Sequence, residues 1–336
     1  VKILDWKKLA GAVIASGLLY LSFHNVDFRE LWHSLTRIHP VYLIGAAGSA
    51  VAMNWAKGMR WRALIRDVRV ISKPRAFALF HVGQMINLSI PMLGGQAGRI
   101  VMLAKQEGLS KTFCFTTVAM EVLCDAVSLV LLIYLASFLF AIPSWVREVE
   151  VYAAICVGLM ILTLILLMRY ERGLAYFGKK TIRRRFPRLY KKLEKWTTSM
   201  SQGIAAIRSS RGVFTLGFYS LLVWFFHIGI CIMLIHAFGL KAPFWAGAVI
   251  VIINSFLLLI PISPGNLGSF QITVITALSF FDVSHAEAAA FSIVLHFMDY
   301  APVFAIGFIL LITNNFSFKK LREETVREVQ QSDCPS

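Results

Sequence analysis

The sequence predicts an all-α integral membrane protein, a polytopic helical bundle of two inverted repeats with two re-entrant helical hairpins. Four observations carry that expectation. Only 15% of the residues are charged, 57% are hydrophobic and the mean hydropathy is +0.68, whereas about a quarter of a soluble domain is charged. Several apolar runs reach the roughly 20 residues that a helix needs to cross a hydrocarbon core. No ten-residue alternation marks barrel strands, and helices are the other structure that satisfies its own backbone in lipid. Finally, two of the apolar runs are broken by similar Pro/Gly stretches, "IPMLGGQAGR" at 90–99 and "IPISPGNLGS" at 260–269.

The apolar runs fall at 9–24, 41–56, 76–104, 112–142, 151–168, 213–238, 243–281 and 286–312. Lys2, Lys7 and Lys8 precede the first run, and no A-x-A cleavage site follows it before His24. That run is expected to stay as a first helix. Lys57–Arg75 then carries seven basic residues against the single acid Asp67, and 169–211 contains "KKTIRRRFPRLYKKLEK". Positive charge of this kind marks cytoplasmic loops. The net charge of +16 therefore points to topology and anionic lipid headgroups rather than to nucleic acid. In 169–211, Phe186, Leu189, Leu193, Trp196, Met200, Ile204 and Ile207 recur at three- and four-residue steps. This predicts an amphipathic helix lying in the inner headgroup plane.

With both basic loops inside, 76–104 must enter and leave on the cytoplasmic side, and 243–281 must do so from the opposite side. Both termini are expected in the cytoplasm, with the chain crossing the cell (inner or plasma) membrane several times. The first repeat then covers 1–142 and the second 143–315, followed by a polar tail, 316–336. Pro91 aligns with Pro261, Gly95 with Gly265, Gln96 with Asn266 and Gly98 with Gly268. Downstream, 108–125 parallels 282–299 and sets Asp125 opposite Asp299. Paired, Gly/Pro-broken segments in inverted repeats point to a transporter's binding site near the membrane midplane.

Glycine lets the backbone turn tightly and lets a ligand approach it. A half-helix N-terminus offers free N–H groups and a positive dipole end. Arg99 adds a permanently charged, forked donor suited to phosphate. The expected substrate-binding set is therefore Arg99, Gly94, Gly95, Gln96, Gly265, Asn266 and Gly268, with Asn87 beside the first motif and Arg60 gathering anionic lipid at the inner surface. Glu121, Asp125, His296 and Asp299 lie inside apolar runs, where ionisable groups are costly and mark function. Gating or charge-pairing is the expected role, with Arg99–Glu121 or Arg99–Asp125 as a structural pair and an Asp125–Asp299 proton relay as alternatives. The histidines are scattered and the cysteines lack ligand spacing, so no metal, cofactor or disulfide framework is expected. No P-loop, GxGxxG or G-x-S-x-G occurs, and an enzyme is disfavoured.

Arg60-Trp61, "GQMINLSIPMLGGQAGR" at 83–99, the helix with Glu121 and Asp125, and "IPISPGNLGSFQ" at 260–271 together resemble the lysylphosphatidylglycerol synthase transmembrane region family. This is the flippase-like domain of aminoacyl-phosphatidylglycerol synthases, also called the UPF0104 group. The resemblance covers almost the whole chain. It implies movement of an anionic or modified phospholipid between leaflets. In the synthases a soluble domain that charges the lipid follows; here about twenty polar residues follow Asn315, so the membrane half alone is implied. The family usually has an acid where Gln96 and Gln271 stand, and often an arginine near His296. Their replacement implies a less negative site, favourable to an anionic headgroup.

The function expected is thus a lipid translocase moving an anionic or modified phospholipid, or a lipid-linked headgroup, through a polar cavity between the repeats. An enzyme or subunit of lipid-linked glycosyl or aminoacyl transfer is the first rival, although loops 25–40, 143–150 and 239–242 are short for a catalytic surface. A small-solute transporter is the second. Membrane phospholipids are the expected partners, and a second copy of the chain or a separate synthase or transferase stays open.

Overall fold

Apolar residues at helical spacing dominate the chain, and the described residues accordingly fold into helices and turns with no strand among them. The computed structural model describes residues 13–14, 16–24, 26–89, 94–140, 151–163, 165–166, 194, 198–258 and 264–313. Residues 16–23 are helical. After them come α1 (Phe28–Thr36), α2 (Pro40–Ile65), α3 (Lys73–Ser89), α4 (Gly94–Glu107) and α5 (Lys111–Leu139). The later helices are α6 (Val151–Thr163), α7 (Ser210–Ala237), α8 (Ala246–Leu258), α9 (Ser269–Ser279) and α10 (His285–Thr313).

Helices α5, α7 and α10 are long and apolar enough to cross a membrane. Each turns large apolar side chains outward: Leu131, Leu135 and Phe138 on α5, Phe214, Leu221 and Phe225 on α7, and Phe304, Phe308 and Ile312 on α10. In water such faces would be association surfaces; in lipid they meet their solvent. The chain is a helical, multi-pass membrane protein.

Two helices depart from expectation. Segment 25–40 holds α1, capped by the Asp27 carboxylate, which accepts from Arg29 N at 2.8 Å. Its Leu31 packs with Val26, Ala286, Ala289 and Ala290. Helix α2 runs on to Ile65, well past the expected end at residue 56. Lys57, Arg60 and Arg62 are straight-chain helix formers, so charge alone did not end the helix.

The chain forms two compact units. One is drawn from Val1–Gly58, Phe77–Arg99 and Leu222–Ser336, the other from Met59–Ala76 and Ile100–Leu221. Each takes residues from both sequence halves, so compactness does not follow the 1–142 and 143–315 division.

In the first unit α8 packs on α9, α9 on α10 and α10 on α1. The helices that flank each Pro/Gly break come together there. A straight helix would set Phe80 and Arg99 about 28 Å apart, yet the Arg99 Cζ lies 5.1 Å from the Phe80 ring centroid. Asn254 and Thr273 have the same sequence separation, and Thr273 Oγ1 reaches Asn254 Oδ1 at 3.0 Å. Each segment is therefore a helical hairpin.

In the second unit Leu64, Met120, Leu123, Ile204 and Leu216 form one apolar cluster, with Ile207 against it. Gly203 approaches Thr116 so closely that a Cβ there would lie 2.5 Å from the Thr116 Cβ. Ile204 and Ile207 were expected to face the headgroup plane. They pack instead into protein, which corrects that expectation for the end of 169–211. Residues 169–193 and 195–197 of that segment, and the tail 316–336, lie outside the described residues.

Candidate functional site

The first hairpin supplies a buried cation. Pro91 lies outside the described residues, but α4 opens at Gly94 and Gly95 with no acid in its first turn. Arg99 follows, 5% exposed, with its guanidinium over Phe80 in cation–π geometry. Next to Phe80 on α3, the fully buried His81 donates from Nδ1 to the Phe77 carbonyl at 2.9 Å. Its Nε2 and the Gln96 Oε1 are buried without a hydrogen-bond partner. Asn87 holds Gln84 Oε1 at 3.5 Å, so Asn87 engages its own helix.

In the second hairpin residues 264–268 form a turn. Gly265 and Asn266 both take left-handed backbone, with φ of 60° and 55°, and Gly268 has φ of 82°. Glycine and asparagine are the residues that tolerate such angles. Gly268 is also sterically required, because a Cβ there would lie 2.5 Å from Leu18 Cβ and 2.8 Å from the Leu19 backbone nitrogen. Helical residues 16–23 thus lie on this turn, and Ser22 Oγ donates to the Gly268 carbonyl at 3.3 Å.

Gln271 ties the turn to α10. Its Oε1 accepts from Gly268 N at 2.8 Å, which aims its Nε2 at His296 Nδ1, 2.9 Å away. An amide nitrogen only donates, so His296 Nδ1 accepts and the ring is in its neutral form there. Phe270 stacks on the imidazole at 4.5 Å and Tyr300 meets it edge-on at 4.4 Å. The Tyr300 hydroxyl in turn accepts from Asn266 Nδ2 at 3.3 Å. One helical turn of α10 therefore grips both ends of the turn. Between His296 and Tyr300, Asp299 places Oδ2 3.5 Å from His227 Nε2 on α7.

The second unit holds a tighter pair. Arg60 Nη1 and Nη2 meet Asp125 Oδ1 and Oδ2 at 2.6 and 3.0 Å, and Nη1 also reaches Ser220 Oγ at 3.2 Å. Arg60 is 1% exposed. Glu121, one turn before Asp125, is also buried and adds a favourable charge near Arg60.

Two sequence expectations are corrected here. Arg60 does not stand at the surface to gather lipid; α2 carries it into the protein, where a bidentate carboxylate neutralises it. Asp125 is correspondingly the partner of Arg60, not of Arg99. Gly94, Gly95, Gln96, Arg99, Gly265, Asn266, Gly268, His296 and Asp299 all belong to the first unit. Sequence reasoning missed three contributors: Gln271 as the bridge, Tyr300 as the clamp on Asn266, and His227 as the base beside Asp299. The spacing of His296, Asp299 and Tyr300 is a helix-face signal that would have grouped them.

Among known proteins, the chain is similar to a UPF0104 membrane protein of Methanothermobacter thermautotrophicus. The two are 22% identical over 293 residues, which is 83% of this chain and 87% of the relative. No solved structure matches it. The family model for the lysylphosphatidylglycerol synthase TM region matches residues 8–307. The chain belongs to that family.

Proposed function

We propose that the protein moves an anionic or modified phospholipid, or another lipid-linked headgroup, between the leaflets of the cell membrane, and that Arg99 holds the phosphate as it passes. The observation that carries the reading is the placement of Arg99, a buried, permanently charged guanidinium one turn into a half-helix that starts behind a Pro/Gly break. Open N–H groups at such a helix start and a forked cation suit a phosphodiester. Membership of a lipid-related membrane family supports the same substrate class.

On this reading the two helical hairpins enter the membrane from opposite faces, as re-entrant segments of inverted repeats, and both termini are cytoplasmic. The internal repeat is supported by its acids. In each half a base on the second spanning helix meets an acid on the last helix: Arg60 with Asp125, and His227 with Asp299. The proposal assigns no catalysis to the chain, and a separate synthase or transferase that modifies the same lipid fits it as a partner.

Liposome reconstitution tests it. Vesicles containing the protein and a headgroup-labelled lipid are exposed to an external quencher, and the label lost beyond the outer-leaflet share is timed. Faster loss than in empty vesicles, greater for an anionic than a zwitterionic headgroup, is expected. Rates equal to empty vesicles for both lipids overturn the proposal.

A further inference from the structure

We propose that His227 and Asp299 form a binding site for a single proton, set in the second half of the chain where the first half holds a fixed ion pair. The inference goes beyond lipid movement and does not depend on it.

The geometry is that of an incompletely satisfied couple. His227 Nε2 and Asp299 Oδ2 are 3.5 Å apart, with side chains only 15% and 12% exposed. N–H···O hydrogen bonds lie at about 2.7–3.2 Å, so the gap is too wide for one. His227 Nε2 and Asp299 Oδ1 accordingly have no hydrogen-bond partner, and neither does the nearby Trp224 Nε1. An ionised carboxylate beside a neutral imidazole leaves one negative charge uncompensated in a buried place, which is costly. One proton cancels it. Taken from water onto His227 Nε2, the proton gives an imidazolium that donates to Asp299; its release returns the couple to the starting state.

The residue type is what makes this a site rather than a strut. Imidazole exchanges its proton near neutrality, whereas guanidinium holds its proton throughout. The matched couple in the first half uses Arg60 and is fixed; the second uses histidine and is exchangeable. A metal cation is a poorer occupant. Among the described residues no three His, Cys, Asp or Glu side chains gather to ligate one, and hard cations take six or more oxygens. The other titratable groups beside Asp299 among the described residues are Cys231 on α7 and His296 and Tyr300 on α10. His296 Nδ1 is already occupied by the Gln271 amide, and the Tyr300 hydroxyl by Asn266.

The position gives the proton a consequence. Asp299 lies between the two α10 residues that grip the second hairpin. Loading therefore sets a positive charge on α7 against Asp299, within one turn of that grip.

Infrared difference spectroscopy of the full chain in lipid nanodiscs, stepped between about pH 5 and pH 8, reads the proton directly. The wild type is expected to show linked imidazole and carboxyl changes that are lost in both His227→Gln and Asp299→Asn. Persistence of the linked change in either variant overturns the assignment, as does a wild type that shows no such change. That wild-type result needs no variant to fold. The readout is protonation, so a failed lipid assay overturns the translocation reading and leaves this one standing.

Discussion

Arg60–Asp125 and His227–Asp299 each join a base on one long helix to an acid on another, and they are built to opposite ends. The first is bidentate, at 2.6 and 3.0 Å, and is braced by Ser220. The second is a single approach at 3.5 Å with open valences on both partners. A guanidinium fork meeting a carboxylate fixes two helices in one arrangement. A loose imidazole–carboxylate couple can hold two charge states. The comparison teaches that an acid inside an apolar helix does not have one meaning: its partner decides whether it is a clasp or a switch.

The largest expected effect breaks the clasp. Asp125→Asn strands the buried Arg60 without its carboxylate, which is itself 43% exposed, so the loss is expected to be about 2–3 kcal/mol, below that of a fully buried pair. Thermal unfolding in detergent reads it, and Arg60→Met in the same chain should recover part of the loss. An unchanged midpoint for Asp125→Asn would remove the clasp from the account.

Next comes the turn that the looser couple sits beside. Gly268→Ala places a Cβ against Leu18 and Leu19 at a positive φ and is expected to cost about 2 kcal/mol. Protease cleavage near residue 18 should accelerate with it, because residues 16–23 rest on this turn. Gln271→Ala deprives Gly268 N and His296 Nδ1 of their shared partner, at about 1–2 kcal/mol. A loss no greater than that of Gln84→Ala, on the first hairpin, would show the bridge to be incidental.

The smallest effect on stability belongs to Asp299→Asn. With no hydrogen bond to lose and a buried charge removed, it is expected to shift stability by less than about 1 kcal/mol. If Asp299→Asn destabilises as much as Asp125→Asn, the two couples are alike and the contrast fails.

The parts visible in the sequence are those that lipid imposes. Helices α5, α7 and α10 lie within a few residues of their expected bounds because a lipid-facing helix is apolar around most of its surface, so length alone marks it. The two breaks were visible because Pro and Gly interrupt such runs. Helix α1 was not, since nine mixed residues with one buried leucine leave no hydropathy signal. The continuation of α2 to Ile65 was hidden because a helix carrying Lys57, Arg60 and Arg62 reads as a loop until a partner neutralises Arg60. That partner is 65 residues away, and no local pattern announces it. Gln271 was noticed only as a departure from the family; its bridging role exists once the left-handed turn at 265–268 has formed. The sequence alignment set Asp125 opposite Asp299, while the bases that meet them needed coordinates.

The two arginines provide the most direct test of the whole account, because they are assigned opposite jobs. Arg60 is a clasp, and Arg99 is proposed to hold an anionic headgroup. The measurement is the rate at which an external quencher reaches inner-leaflet labelled anionic lipid in vesicles with wild type or Arg99→Gln, each matched for thermal midpoint. The account predicts at least about a tenfold slower rate for Arg99→Gln, the equivalent of about 1.4 kcal/mol, with little change in midpoint. Equal rates for the two proteins would contradict it.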